Sequence, residues 1–258
     1  MILLFGGTGE TASIASALAD AKYKVIVSTA TDNHLDVGDN KNITRRIGRL
    51  DAAGIASLAK EHSIKGIVDA SHPFASQLRE NGRKAAVEIS LPYVTFLRPC
   101  EEYDYDLLSY AEDHEDAARK AFSFGKPVML TTGSRNLAVY VEKAKRKSML
   151  VVARVLPHPE SIEACRAAGL PEEWIITGRG PFSVDENLLI IKRFGIGAVV
   201  TKDSGSAGGV PEKVEAARIE NCRVVAVKRP EQKSRDAYGN IPDLVSAISS
   251  AINADKDD

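Results

Sequence analysis

Met1-Ile2-Leu3-Leu4-Phe5-Gly6-Gly7-Thr8-Gly9-Glu10-Thr11-Ala12 opens the chain and decides how the rest is read. An apolar run breaks at a glycine cluster, and helical spacing follows, with Ile14, Ala15 and Leu18 on one side. The pattern predicts strand, tight turn and helix, with the strand central in a sheet. Glycine serves such a turn in two ways. It takes backbone angles that a side chain forbids, and it lets a phosphate approach the main chain closely. The helix that follows points its unpaired N–H groups and positive dipole end at the same spot. The spacing Gly6-x-x-Gly9-x-x-Ala12 falls short of the full G-x-G-x-x-G fingerprint, yet small residues stand at the turn, approach and packing positions. Gly6, Gly7, Thr8 and Gly9 are therefore candidates for holding a dinucleotide phosphate. The alternative is a glycine turn that only packs helix on strand.

The same grammar continues outward. Strands are expected near 24–31, 43–48, 65–70 and 92–99, with helices between them, Asp51 as an N-cap and a helix from about 76 through Ile89. Residues 100–110 break the rhythm, as a loop or a strand crossing between domains. A second series starts at Gly125-Lys126-Pro127, with strands near 128–132, 150–157, 174–177, 198–202 and 223–230. Ser183 with Glu186 three residues on is a capping-box pattern. Strand–helix alternation of this length implies parallel sheets wound by right-handed crossovers. The expected fold is α/β: two Rossmann-like parallel-sheet domains, residues 1–124 and 125–258, with helices on both faces and a ligand cleft between them.

Composition sets bounds on function. The 258 residues carry a formal net charge of −1, so nothing calls for nucleic acid or an anionic membrane as partner. No apolar run approaches the roughly 20 residues that span a bilayer, and no charged-then-apolar leader is visible. Cys100, Cys165 and Cys222 are far apart and show no zinc spacing. They fit buried thiols in a reducing cytoplasm. No metal site is expected.

Ligands of open parallel sheets sit at the carboxyl ends of the strands. Here those ends carry Ser28-Thr29, Ser71-His72-Pro73, Arg98, Arg154, Lys202-Asp203-Ser204-Gly205 and Arg229. Hydroxyls, glycines and cations in both halves suit an anionic ligand, and the acidic cluster of a magnesium site is missing. Ser28 and Thr29 end the second strand, where a dinucleotide fold meets the adenosine ribose, and Arg45, Arg46 and Arg49 follow closely. Hydroxyls plus a guanidinium favour the 2′-phosphate of NADPH over NADH, whereas Asp32 argues the other way. The arginines could equally be a solvated loop. His72 could donate to a carboxylate, act as a general acid, or bond only to its own backbone.

Several blocks together resemble the precorrin-6A reductases of cobalamin biosynthesis, including the cobalt-precorrin-6A form. They are Ile2-Leu3-Leu4-Phe5-Gly6-Gly7-Thr8-Gly9-Glu10, Asp69-Ala70-Ser71-His72-Pro73-Phe74-Ala75, Ala153-Arg154-Val155-Leu156-Pro157, Gly180-Pro181-Phe182-Ser183 with Glu186-Asn187, and Val200-Thr201-Lys202-Asp203-Ser204-Gly205 followed by Gly208-Gly209 and Glu212-Lys213. They occur in family order and cover essentially the whole chain. The resemblance implies an oxidoreductase acting on a CH–CH group, in which NADPH or NADH delivers hydride to the macrocycle of a tetrapyrrole (precorrin) substrate. It implies that Gly6, Gly7, Thr8 and Gly9 hold the pyrophosphate, that Ser28, Thr29 and Arg49 face the adenosine ribose, and that His72, Arg154, Lys202, Ser204 and Gly205 meet the substrate. His72 is the candidate proton donor.

Other readings remain open from the residues alone. Another NAD(P)-dependent reductase or epimerase of a small anionic substrate is one; Tyr93 and Tyr103 lack the lysine four residues on that short-chain enzymes use. A methyltransferase of the same pathway is a second, and a non-catalytic dinucleotide-sensing module a third.

Overall fold

A computed structural model describes residues 1–32, 35–98, 101–230 and 236–254. Cys100 and the acidic tail from Asp255 lie outside the described residues. The chain divides into two compact units, Met1–Pro99 with Pro230–Asp258, and Cys100–Arg229.

In the first unit, β1 (Ile2–Phe5) leads into α1 (Thr11–Asp20), β2 (Val25–Thr29) and β3 (Ile43–Ile47). Then come α2 (Ala52–Glu61), β4 (Gly66–Asp69), α3 (Ser76–Glu88) and β5 (Tyr93–Phe96). The short strand β12 (Ala237–Tyr238) and helix α9 (Ile241–Ala254) return to this unit from the far end of the chain. The sheet is parallel throughout, in the order β12-β5-β4-β1-β2-β3. β1 is apolar on both faces because both are covered. Alternate residues of a strand face opposite ways, and here Ile2 and Leu4 pack with α1 and α9 through Ile14, Leu18, Leu244 and Ile248. Leu3 and Phe5 pack on the other side with Ile55 of α2 and Ala85 of α3. Asp51 caps α2 as expected, its carboxylate accepting from Gly54 N at 2.8 Å.

The second unit opens with β6 (Leu108–Ala111) and α4 (His114–Ala121). It continues through β7 (Val128–Leu130), α5 (Leu137–Lys147), β8 (Val151–Val155), α6 (Pro159–Ala167) and β9 (Ile175–Thr177), then α7 (Val184–Phe194), β10 (Ala198–Lys202), α8 (Val210–Ile219) and β11 (Arg223–Val227). This sheet is also parallel, in the order β6-β11-β10-β7-β8-β9. α7 and α8 cover one face around Val199 and Val224, and α4 packs on β10 and β11. Ser183 and Glu186 form the capping box of α7.

Both sheets follow the doubly wound order 3-2-1-4-5-6. The sixth position is filled from outside each contiguous run: by β12, from the far end of the chain, in the first sheet, and by β6, which precedes its five partners, in the second. This moves the boundary away from the expected 124/125. Residues 100–124 pair β6 with β11 and pack α4 on the second sheet, while α9 buries Leu244 and Ile248 completely against the first. Burial of each such side chain contributes about 1.5–3 kcal/mol, so the chain's last helix belongs to its first sheet.

Candidate functional site

In sheets of this order the ligand crevice lies where the strand sequence reverses. In the first unit that point is between β1 and β4. Gly7 holds φ +110°, and a Cβ there would meet nothing within 4 Å. At Gly6 a Cβ would stand 2.7 Å from Thr11 Cγ2 and 3.0 Å from Val27 Cγ1. So Gly6 is required by close packing and Gly7 by its backbone angle. The Thr11 hydroxyl is buried and accepts from the N–H groups of Gly7 and Thr8, each at 3.1 Å. Thr8 in turn donates to Ala70 O at 3.1 Å, tying the turn to the end of β4. Gly9 is exposed. No side chain caps α1, and its first turn holds no acid. Glu10, at the N-cap position, is drawn aside into a bidentate pair with Arg98 at 2.5 and 2.7 Å. Open space over Gly7 and an uncapped helix start fit a phosphate group. The N–H groups of Gly7 and Thr8 are committed to Thr11, which leaves those of the helix start to face any anion there.

At the end of β2, Ser28 and Thr29 are buried and each is met by an arginine of β3. Arg46 Nη1 donates to Ser28 Oγ at 2.7 Å, and Arg45 donates to Thr29 Oγ1 from Nε and Nη2, both at 3.2 Å. Register explains this: Ser28 pairs with Arg46, and Val27 with Arg45. Burial lowers the Arg46 pKa from its ordinary value. Arg49, chosen from the sequence, lies exposed beyond β3. The two guanidinium groups brought to the β2 hydroxyls are those of Arg45 and Arg46.

β4 ends in a network that the sequence did not reveal. Asp69 is buried and accepts four hydrogen bonds. Oδ1 takes Ser71 N at 3.0 Å and Ser71 Oγ at 2.5 Å, and Oδ2 takes Arg79 Nε at 3.0 Å and the Tyr93 hydroxyl at 2.9 Å. Burial, with Asp69 next, raises the Tyr93 pKa far above its usual value. Above this network His72 is half-buried, and its Nδ1 accepts the Phe74 N–H at 3.2 Å. A ring that accepts at Nδ1 is neutral and carries its proton on Nε2. Giving up that proton would leave imidazolate. The bond therefore favours His72 as a hydrogen-bond donor over the proton-donor role expected from the sequence.

In the second unit the order reverses between β7 and β10. Lys202 ends β10 half-buried; burial and then the nearby Arg135 lower its pKa. Ser204 is buried against Lys202 O, and Gly205 holds φ +72°. An internal carboxylate meets this turn. Glu101 accepts from Ser206 N at 3.0 Å and from the Ser206 hydroxyl. Two of the cationic strand ends are paired: Arg98 with Glu10, and Arg229 with Asp203 at 3.2 and 3.3 Å.

Arg154, on β8, is buried. Its guanidinium lies 3.7 Å from the centre of the Phe182 ring, and Nη2 donates to Asn187 Oδ1 at 2.8 Å. Nη1 is buried with no hydrogen-bond partner among the described residues. Burial lowers the Arg154 pKa to about 10. Lys213 of α8 is buried too and donates to Gly208 O at 2.5 Å; burial, with Arg154 next, lowers its pKa to about 8. Also missed from the sequence was His114 at the start of α4, whose Nδ1 lies 2.8 Å from the fully buried Tyr140 hydroxyl. Burial and then Lys202 lower its pKa. An apolar groove lined by Val141, Met149, Leu150, Leu170 and Trp174 sits at the amino end of β8, away from these groups. Among the described residues no cluster of His, Cys, Asp or Glu could hold a metal ion, and no helix is long and apolar enough to cross a membrane.

A family model described as Precorrin-6x reductase CbiJ/CobK matches residues 1–249. A cobalt-precorrin-6A reductase of Priestia megaterium is 35% identical over 249 residues, covering 96% of this chain and 98% of that protein. A cobalt-precorrin-6A reductase of Methanothermobacter thermautotrophicus is 34% identical, covering 96% of this chain and 83% of that one. A precorrin-6A reductase of Rhodococcus erythropolis is 32% identical, covering 96% and 95%. The solved structure of a CobK precorrin-6A reductase superposes with a TM-score of 0.79 at 24% identity, over 97% of this chain and 96% of that one. That likeness bears on the fold.

Proposed function

Because this chain belongs to the precorrin-6A reductase family of cobalamin biosynthesis, oxidoreductases that act on a CH–CH group with a nicotinamide cofactor, we propose NADPH as its preferred hydride donor and assign its two sets of strand ends to cofactor and substrate. The observation that carries the preference is the pairing of Arg45 and Arg46 with Thr29 and Ser28 at the end of β2. That is where this fold receives the adenosine ribose, and a guanidinium group held there suits a 2′-phosphate.

A bound reduced nicotinamide would supply the hydride, and solvent the proton that completes the reduction. The chain's own groups bind and orient. The start of α1 and the space over Gly7 receive the pyrophosphate. His72 offers Nε2–H to charge that develops on the macrocycle, the kind of electrostatic aid whose loss costs roughly a hundredfold in rate at comparable sites. Arg154, Lys202, Ser204 and Gly205, with Lys213 added by the structure, receive the carboxylates of precorrin-6A or its cobalt form. We place the protein in the cytoplasm, a reading supported by the free, buried thiols of Cys165 and Cys222.

Titration of the purified protein with NADPH and NADH, followed by nicotinamide fluorescence, tests the preference. NADPH is expected to bind at least about tenfold more tightly, a difference near 1.4 kcal/mol. Arg46→Ala should narrow the gap by weakening NADPH alone. Equal or tighter binding of NADH would refute the assignment.

A further inference from the structure

We propose that Asp69 and Arg79 are positioning residues: their buried pair fixes the turn after β4 so that His72 is held in its Nε2-protonated form. The proposal rests on the donor role given to His72 above.

The pair is a poor device for stability alone. Asp69 is 1% exposed and Arg79 7%, with Nε to Oδ2 at 3.0 Å. Removing two such charges from water costs several kcal/mol per ion, and apolar replacements of like volume are often neutral or stabilising. What the pair does is hold main chain that no sheet can hold. Residues 71–75 form a turn whose carbonyls have no strand partner, and unpaired buried carbonyls are costly. Arg79 Nη1 donates to Pro73 O at 3.2 Å and Nη2 reaches His72 O at 3.5 Å. The Asp69 carboxylate takes Ser71 N and Oγ at the start of the turn, and His72 O also accepts Ala75 N at 2.8 Å. Asp69 itself is fixed by β4 pairing on both sides, opposite Phe5 and Thr95. Arg79 is fixed by α3.

The consequence falls on the imidazole. With the turn held, Phe74 N–H is directed at His72 Nδ1. The hydrogen bond at one ring nitrogen selects the proton position at the other. Arg79 supplies this geometry through three nitrogens at once. A lysine there would keep the charge but could not reach Asp69 and two carbonyls together.

The test uses the full-length protein. Long-range nitrogen–proton NMR of the histidine rings reads the tautomer of His72 directly, and steady-state kinetics read kcat and KM. The parent protein should show a bare Nδ1 and a protonated Nε2. In Arg79→Lys the preference should collapse to a mixture, and kcat should fall at least about tenfold while the KM for NADPH moves less than about twofold. Tyr93→Phe removes another hydrogen bond to the same carboxylate without touching the turn. It should lose comparable stability and keep the tautomer, which separates positioning from stability and covers the case in which Arg79→Lys does not fold. A folded Arg79→Lys that retains the Nε2–H form overturns the proposal, as does a Tyr93→Phe that loses it. His72→Ala tests the underlying role separately. If His72→Ala keeps full kcat while Arg79→Lys scrambles the tautomer, the pair positions the ring as proposed and the donor role of His72 falls. If His72→Ala is slow while Arg79→Lys keeps the tautomer, the donor role stands and the positioning proposal falls.

Discussion

Lys213 shows most plainly what burial does to a single charge. Its ammonium has Gly208 O as acceptor and Arg154 as a repelling neighbour, and its pKa falls from 10.5 to about 8. Between those values the folded protein binds fewer protons than the unfolded chain, so stability rises with pH through this window. A shift of that size corresponds to about 3 kcal/mol. Measured against Lys213→Met by denaturant titration, the parent should gain roughly that much as pH rises from 8 to 10.5. A stability difference that stays flat over the window would contradict the buried, charged lysine. At this scale the sequence was only partly legible. It showed the cationic residues Arg154 and Lys202 because each stands in or at the end of an apolar run. It could not show that Arg45 and Arg46 reach Ser28 and Thr29 in place of Arg49, because strand register decides that. Nor could it join Asp69 to Arg79 and Tyr93, which meet only once α3 and β5 are packed beside β4.

The glycine turn is the element on which the cofactor assignment depends, and its glycines do different work. A methyl group at Gly6 would press into Thr11 and Val27. Overpacking of this kind costs about 1–3 kcal/mol. A methyl group at Gly7 meets open space, where phosphate would approach, at a backbone angle that costs about 1–3 kcal/mol in strain. Gly6→Ala should therefore lower thermal stability while retaining most NADPH affinity per folded molecule. Gly7→Ala should weaken NADPH binding at least about tenfold by fluorescence titration. NADPH binding undisturbed in Gly7→Ala would remove the turn from the cofactor site. The strand–turn–helix was readable because a continuous apolar run, glycines and helical spacing agree in the first 20 residues. The role of Thr11, which takes up two of the turn's own N–H groups, was not, since a threonine at a helix start ordinarily reads as a cap or a packing residue.

For the whole molecule, local pattern gave the two parallel sheets, and long-range pairing set their limits. Ten of the twelve strands among the described residues alternate with helices or turns clearly enough to be placed; β6 falls in the stretch left open as a loop or a crossing strand, and β12 is two residues long and carries no pattern of its own. Where β6 pairs is invisible locally, as its partner β11 lies more than a hundred residues away. A boundary drawn at 124/125 follows chain order; the folded boundary follows which sheet each edge strand and α9 complete. Family membership gives the reaction; the strand ends are where cofactor and substrate are proposed to bind. The most direct test is to add precorrin-6A, and separately cobalt-precorrin-6A, to the full-length protein with NADPH under anaerobic conditions. Loss of nicotinamide absorbance and the mass of the product are then followed together. The account predicts NADPH oxidised in equal amount to a substrate that gains two hydrogens, with NADH slower. No oxidation of either cofactor with either substrate, by protein shown to bind NADPH, would contradict it.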